Sequence, residues 1–89
     1  MNSPLWDDAA YDALADIWVV ATPTEREGIE AAVHRVNAIL RDRSADIGES
    51  RIGRIRVVII EPLTVWFQVT PGDPVARVLH VRWWRKKRT

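Results

Sequence analysis

Three runs of apolar and polar residues in the second half of the chain read as strands. They are 54–60 (RIRVVII), 63–69 (LTVWFQV) and 75–81 (VARVLHV), the last running on into Arg82, Trp83 and Trp84. β-Branched and aromatic residues dominate each run, while Glu61-Pro62 and 70–74 (TPGDP) supply the turns. Successive strand side chains point to opposite faces, so each run divides into two sets. In the first, Ile55, Val57 and Ile59 form an apolar set, and Arg54 and Arg56 share the other. In the second, Leu63, Val65, Phe67 and Val69 oppose Thr64, Trp66 and Gln68. The third is mixed: Arg77, Leu79, Val81 and Trp83 against Val78, His80, Arg82 and Trp84. Collecting the polar sets predicts one open sheet face bearing Arg54, Arg56, Thr64, Trp66, Gln68, His80, Arg82 and Trp84.

The first half of the chain has a different period. From Asp8 onward, Tyr11, Leu14, Ile17/Trp18 and Ala21 recur at helical spacing, with Asp7, Asp8, Asp12 and Asp16 between them. Acids near the start complement the positive end of the helix dipole. Thr22-Pro23-Thr24-Glu25 ends this helix and starts the next, since proline suits a first helical position and Thr22 with Glu25 has capping-box spacing. The second helix is predicted to run to about Asp42, with Ile29, Val33, Val36 and Ile39/Leu40 along one stripe. A connection this short folds the two helices into an antiparallel pair. Residues 43–50 (RSADIGES) read as a loop, and residues 3–6 as a short extended piece whose Pro4 suits a sheet edge. The expected fold is α/β of the α+β kind, a helical hairpin on one face of a small twisted antiparallel sheet. Residues 1–84 form the single domain, and 85–89 form a basic C-terminal tail.

Composition narrows the classes. Eighty-nine residues leave no room for a second core. A charged fraction of 28% beside 47% hydrophobic is ordinary for a folded domain and argues against disorder. Without cysteine there is neither a disulfide nor a thiolate nucleophile. The apolar runs are too short to span a bilayer, and the opening residues lack the order of a signal peptide. A soluble cytoplasmic domain with no membrane partner is the expectation. The net charge of +1 hides a division: residues 1–50 hold ten acids and four bases, while 51–89 hold two acids and nine bases. Such asymmetry points to a polyanionic partner or to mutual attraction of the two halves.

Cations interleaved with flat aromatics on a sheet make a surface able to receive nucleic acid. RNA cleavage through the 2′-hydroxyl needs a proton acceptor, cations at the phosphate and a proton for the leaving oxygen. His80, Arg54 and Arg56 are the candidate catalytic set. Arg51, Trp66, Gln68, Arg82, Trp84, Arg85, Lys86 and Lys87 are candidate RNA- or target-binding residues. The simpler readings are a half-buried His80 packing beside Trp66, a solvated or partner-binding strip of arginines, Trp83 and Trp84 capping the core, and a solvated tail. His34 beside the second helix's stripe reads as surface. Two histidines far apart without cysteine make no metal motif, and no phosphate loop or Ser-His-Asp arrangement is present. No cofactor, metal or small-molecule substrate is expected.

A helical hairpin followed by Gly48-Glu49-Ser50-Arg51, a strand, Pro62-Leu63 with Val65, Phe67 and Val69, and the valine-rich run 75–81 resembles the RelE/ParE superfamily of bacterial type II toxins. Trp6 and the Leu14, Ile17, Trp18 stretch share the likeness, which covers the chain to about residue 84. The resemblance implies a toxin neutralised by a cognate antitoxin. Its target would be mRNA on the ribosome, cut by a RelE-like endoribonuclease, or DNA gyrase, inhibited without catalysis by a ParE-like member. Arg54 and Arg56 fall where RelE-like members carry paired lysines. Thr64 stands where such toxins have an arginine, Trp84 near a second one, and Tyr11 is remote from the face. The missing arginine favours gyrase inhibition, whereas the basic face and His80 keep cleavage open. A degenerate member acting only as an antitoxin- or nucleic-acid-binding module is the alternative.

Overall fold

The computed structural model describes residues 4–43, 49–50, 55–70 and 75–84. Strand β1 (Leu5–Trp6) leads into helices α1 (Asp8–Val20) and α2 (Pro23–Arg43). Then come β2 (Glu49–Ser50), β3 (Ile55–Ile60), β4 (Leu63–Gln68) and β5 (Arg77–Trp83). They form one five-stranded sheet in the order β1-β5-β4-β3-β2. The β2, β3, β4 and β5 neighbours are antiparallel, and β1 lies parallel to β5. The expected three-strand meander is therefore the centre of a larger sheet. Two-residue strands close it at either side, one of them (Glu49–Ser50) within the stretch expected to be loop.

The turn between the helices is built as its residue types dictate. Thr22 N–H donates to Glu25 Oε1 at 2.9 Å, and Glu25 N–H donates to Thr22 Oγ1 at 3.2 Å. This reciprocal capping box satisfies backbone donors that the first turn of α2 leaves unpaired. On the α1 side, Arg26 Nε donates to the Trp18 carbonyl at 2.9 Å, and its guanidinium lies 5.2 Å from the Trp18 ring centroid. One arginine thus supplies a partner for a last-turn carbonyl and covers an aromatic face. The helices run antiparallel, because Trp18 meets Arg26 while Tyr11 and Leu14 share a small cavity with Val33 and Asn37.

The helical pair covers one sheet face. Ala10, Ala32, Val36 and Leu40 are buried against Ile60, Leu63, Val65, Phe67, Val78 and Val81, with Ala13, Leu14, Ile17, Val33 and Ile39 packed around them. Each fully buried Leu, Val or Phe contributes roughly 1.5–3 kcal/mol relative to exposure. The stripe of α1 is rotated from the expected one. Ala10, Leu14, Ile17 and Ala21 face inward, whereas Tyr11 and Trp18 are exposed. Both sets obey helical spacing; small Ala10 lets α1 approach β5 closely, which the bulkier Tyr11 would prevent.

At the sheet edge, β1 is held on three counts. Leu5 N–H donates to the Ala76 carbonyl and Asp7 N–H to the Val78 carbonyl, each at 2.9 Å. Trp6 Nε1 donates to Asn37 Oδ1 at 2.9 Å, tying the strand to α2. Asp7, at the N-cap of α1, makes no side-chain cap bond; its Oδ1 instead accepts from Arg77 Nη1 at 2.7 Å.

Two substitutions, one at the cap of α2 and one within it, should move stability in opposite directions in urea titrations. Thr22→Ala removes the cap and should cost about 1 kcal/mol. Gly28 is an exposed helical residue with nothing within 4 Å of where a Cβ would stand, so Gly28→Ala should add about 0.5–1 kcal/mol.

Candidate functional site

The sheet face away from the helices is assembled by strand register. The two-residue turn at Glu61 and Pro62 pairs Ile60 with Leu63, and the ladder continues as Ile59 with Thr64, Val58 with Val65, Val57 with Trp66, Arg56 with Phe67 and Ile55 with Gln68. Directly opposed residues share a face. Leu63, Val65 and Phe67 are fully buried, so Ile60, Val58 and Arg56 lie on the helix-covered side. Ile59, Val57 and Ile55 therefore join Thr64, Trp66 and Gln68 on the outer side.

This corrects the expected division of β3. Arg56 is turned away from Trp66 and His80, and the outer face receives the Ile55, Val57, Ile59 set in its place. The strand is apolar on both sides from Val57 to Ile60, so its own alternation carries little information. Because the turn closes with two residues, the pairing of 60 with 63 puts 56 opposite 67. That inference was open to sequence reasoning, and Val57 and Ile59 are the site residues it missed.

Between β4 and β5 the register is interrupted. Leu63 pairs with Trp83, Thr64 with Arg82, Val65 with Val81 and Trp66 with His80, after which Phe67 meets Val78. Leu79 is thus an extra residue, a β-bulge that resets which side each residue of β5 takes. It explains the mixed pattern of this run. Val78 and Val81 both reach the core although three positions apart, while His80 and Arg82 reach the outer face.

The resulting surface is aromatic and apolar with a cationic margin. An open groove of about 660 Å³ is lined by Val57, Ile59, Thr64, Trp66, Arg82, Trp83 and Trp84. Trp84 Nε1 donates to Thr64 Oγ1 at 3.0 Å, and Trp84 N–H donates to the Pro62 carbonyl at 2.6 Å. These two bonds lock the indole over Thr64, which is 9% exposed, while Trp84 as a residue remains 56% exposed. His80 is exposed rather than half-buried, and its ring stands 5.4 Å from Trp66 at an interplanar angle of 45°. Gln68 lies on the same face, opposite Ile55 and Arg77. Of the predicted site residues, the structure thus brings together Trp66, Gln68, His80, Arg82 and Trp84. Arg51, Arg54, Arg85, Lys86 and Lys87 lie outside the described residues. His34 is on the surface, 4.0 Å from Glu30.

Among the described residues, no His, Asp and Glu side chains come together as a metal-binding group. Nor is any helix among them long and apolar enough to cross a membrane.

No family model and no curated protein matches the sequence. A solved structure matches the fold. A chain of a chromosomal ParDE toxin–antitoxin system from P. aeruginosa superimposes with a TM-score of 0.71 at 17% identity, over 96% of this chain and 98% of that one. This chain has the fold of that ParDE protein. At 17% identity the correspondence is one of backbone path, two helices laid on one side of a sheet. The ParDE-like fold accounts for why one sheet face is covered and the other left open, and the side chains on the open face are this chain's own.

The Trp84–Thr64 hydrogen bond gives a local test. Thr64→Val keeps the shape but removes the acceptor, and should cost about 0.5–1.5 kcal/mol. In proton NMR, the Trp84 indole N–H should exchange with solvent markedly faster than in the parent chain.

Proposed function

We propose that this chain is the toxin of a type II toxin–antitoxin pair and that its outer sheet face grips a protein target, the mode expected of a ParE-like inhibitor of DNA gyrase. The observation that carries this reading is the character of that face on a ParDE-like fold. Val57, Ile59, Trp66 and Trp84 line the open groove, and Arg82 stands beside them. Exposed aromatic and aliphatic area with an arginine at its rim is the composition of a protein-binding hot spot.

A phosphate backbone would call for several cations aimed the same way. Among the described residues, Arg56 faces the helices and Arg77 is held by Asp7. A cognate antitoxin would silence the chain by covering the groove. A ribosome-dependent endoribonuclease is the second reading, favoured by His80 standing against Trp66 with Arg82 two residues along the same face. There the imidazole would move the proton and the indole would stack a base.

Induced expression in bacteria without an antitoxin tests both. On the leading reading, growth stops, the SOS response rises and mRNA stays intact. Trp66→Ala or Arg82→Glu should relieve the arrest by at least tenfold in surviving cells, whereas His80→Ala and Arg56→Gln should leave it in place. Cuts within translated codons that disappear in His80→Ala would replace this reading with the endoribonuclease. Unimpaired growth would leave a binding module without toxicity.

A further inference from the structure

Seven large apolar side chains are exposed among the described residues, four on α1 and three on the sheet or just beyond its last strand. Tyr11, Trp18, Val19 and Val20 belong to α1 and are 36–74% exposed, with Val19 the most open at 74%. Ile59 and Trp84 line the groove of the outer sheet face, and Leu5 lies at the sheet edge beside Arg77. The sheet separates the two groups. Ala10, Leu14 and Ile17 bind α1 to the core side, so its free surface looks away from the groove.

The two patches carry opposite charge. On α1, Asp8, Asp12 and Asp16 are exposed at four-residue intervals, a ridge alongside the row Tyr11, Ala15 and Val19. The helix contains no base at all. On the other side, Arg82 is exposed at the margin of the groove. The groove is open and about 660 Å³, room for the side chains of a helix face.

From this match we infer that the occupant of the groove in the isolated protein is a second copy of the chain. The α1 ridge of one copy seats Tyr11 and Val19 against Trp66, Trp84 and Ile59 of the next, with Asp12 and Asp16 facing Arg82. Such a head-to-tail contact is heterologous. It leaves one ridge and one groove unfilled after each addition, so it closes into a ring or continues as an open chain. Self-association would also cover the face assigned above to the target, making a concentrated pool of the protein self-masked. The association itself does not depend on the toxin reading; only this consequence does.

Sedimentation equilibrium of the purified chain over a wide concentration range tests the contact. The mean mass should rise with concentration in low salt and fall towards that of a monomer in high salt, because part of the attraction is between exposed charges. Asp12→Lys with Asp16→Lys, or Arg82→Glu, should each weaken association about tenfold or more. An equal mixture of those two variants should recover association, since the basic ridge of one now meets the acidic groove of the other. Val19→Glu provides an independent probe with both charge sets intact and should weaken association too. All these positions are exposed, and circular dichroism checks that each variant is folded. A monomer at every concentration, association that none of the variants weakens, or a mixture no tighter than its components would overturn the proposal.

Discussion

The pairing of Ile60 with Leu63 across a two-residue turn constrains everything else in this sheet. It puts Val58 and Ile60 beside Leu63, Val65 and Phe67 on the face that the helices cover, and it sends Val57 and Ile59 to the other. A slip of one residue would exchange every side chain of β3 between the two faces. In most sheets the hydrophobic pattern itself forbids such a slip. Here β3 is apolar on both sides over its last four residues, and the burial of Leu63, Val65 and Phe67 on β4 fixes the choice from next door. Arg56 lies on the helix-covered side as a result.

That register couples to the bulge at Leu79. Without the extra residue, Val78 and Val81 could not both enter the core, because they are an odd number of positions apart. With it, the core continues across β5 to meet Ala10, Leu14 and Ile17 of α1, while His80 and Arg82 come round beside Trp66. The same irregularity therefore completes the core and assembles the outer face. Two-residue strands at the margins keep the open sheet edges short, a known guard against edge-to-edge pairing. The Asp7–Arg77 ion pair and the Trp6–Asn37 bond secure one of those margins to the rest of the domain.

A single helical layer on a sheet leaves the far side bare, and aromatic side chains are held in place there. Trp84 is held over Thr64 by its indole nitrogen and by its backbone, so a large ring is presented with little freedom left to lose on binding. The His80 ring stands against Trp66, 5.4 Å between centroids. The backbone path is ParDE-like, and the side chains on this face are this chain's own.

Much of this was determined by the sequence alone. The period change at Asp8, the Thr22–Glu25 box and the turn-bounded runs 63–69 and 75–81 specify the elements through local preferences that need no tertiary partner. The buried set on β4 was legible because Leu63, Val65, Phe67 and Val69 alternate cleanly with Thr64, Trp66 and Gln68. The face of β3 was not legible from its own pattern, since apolar residues occupy both sides, and neither was the bulge, since nothing local marks Leu79. The rotated stripe of α1 belongs with them: Tyr11 and Ala10 both satisfy helical spacing, and only close approach to β5 selects the smaller side chain. Local chemistry determined which elements form; packing across strands decided which of their faces meet the core and which stay exposed.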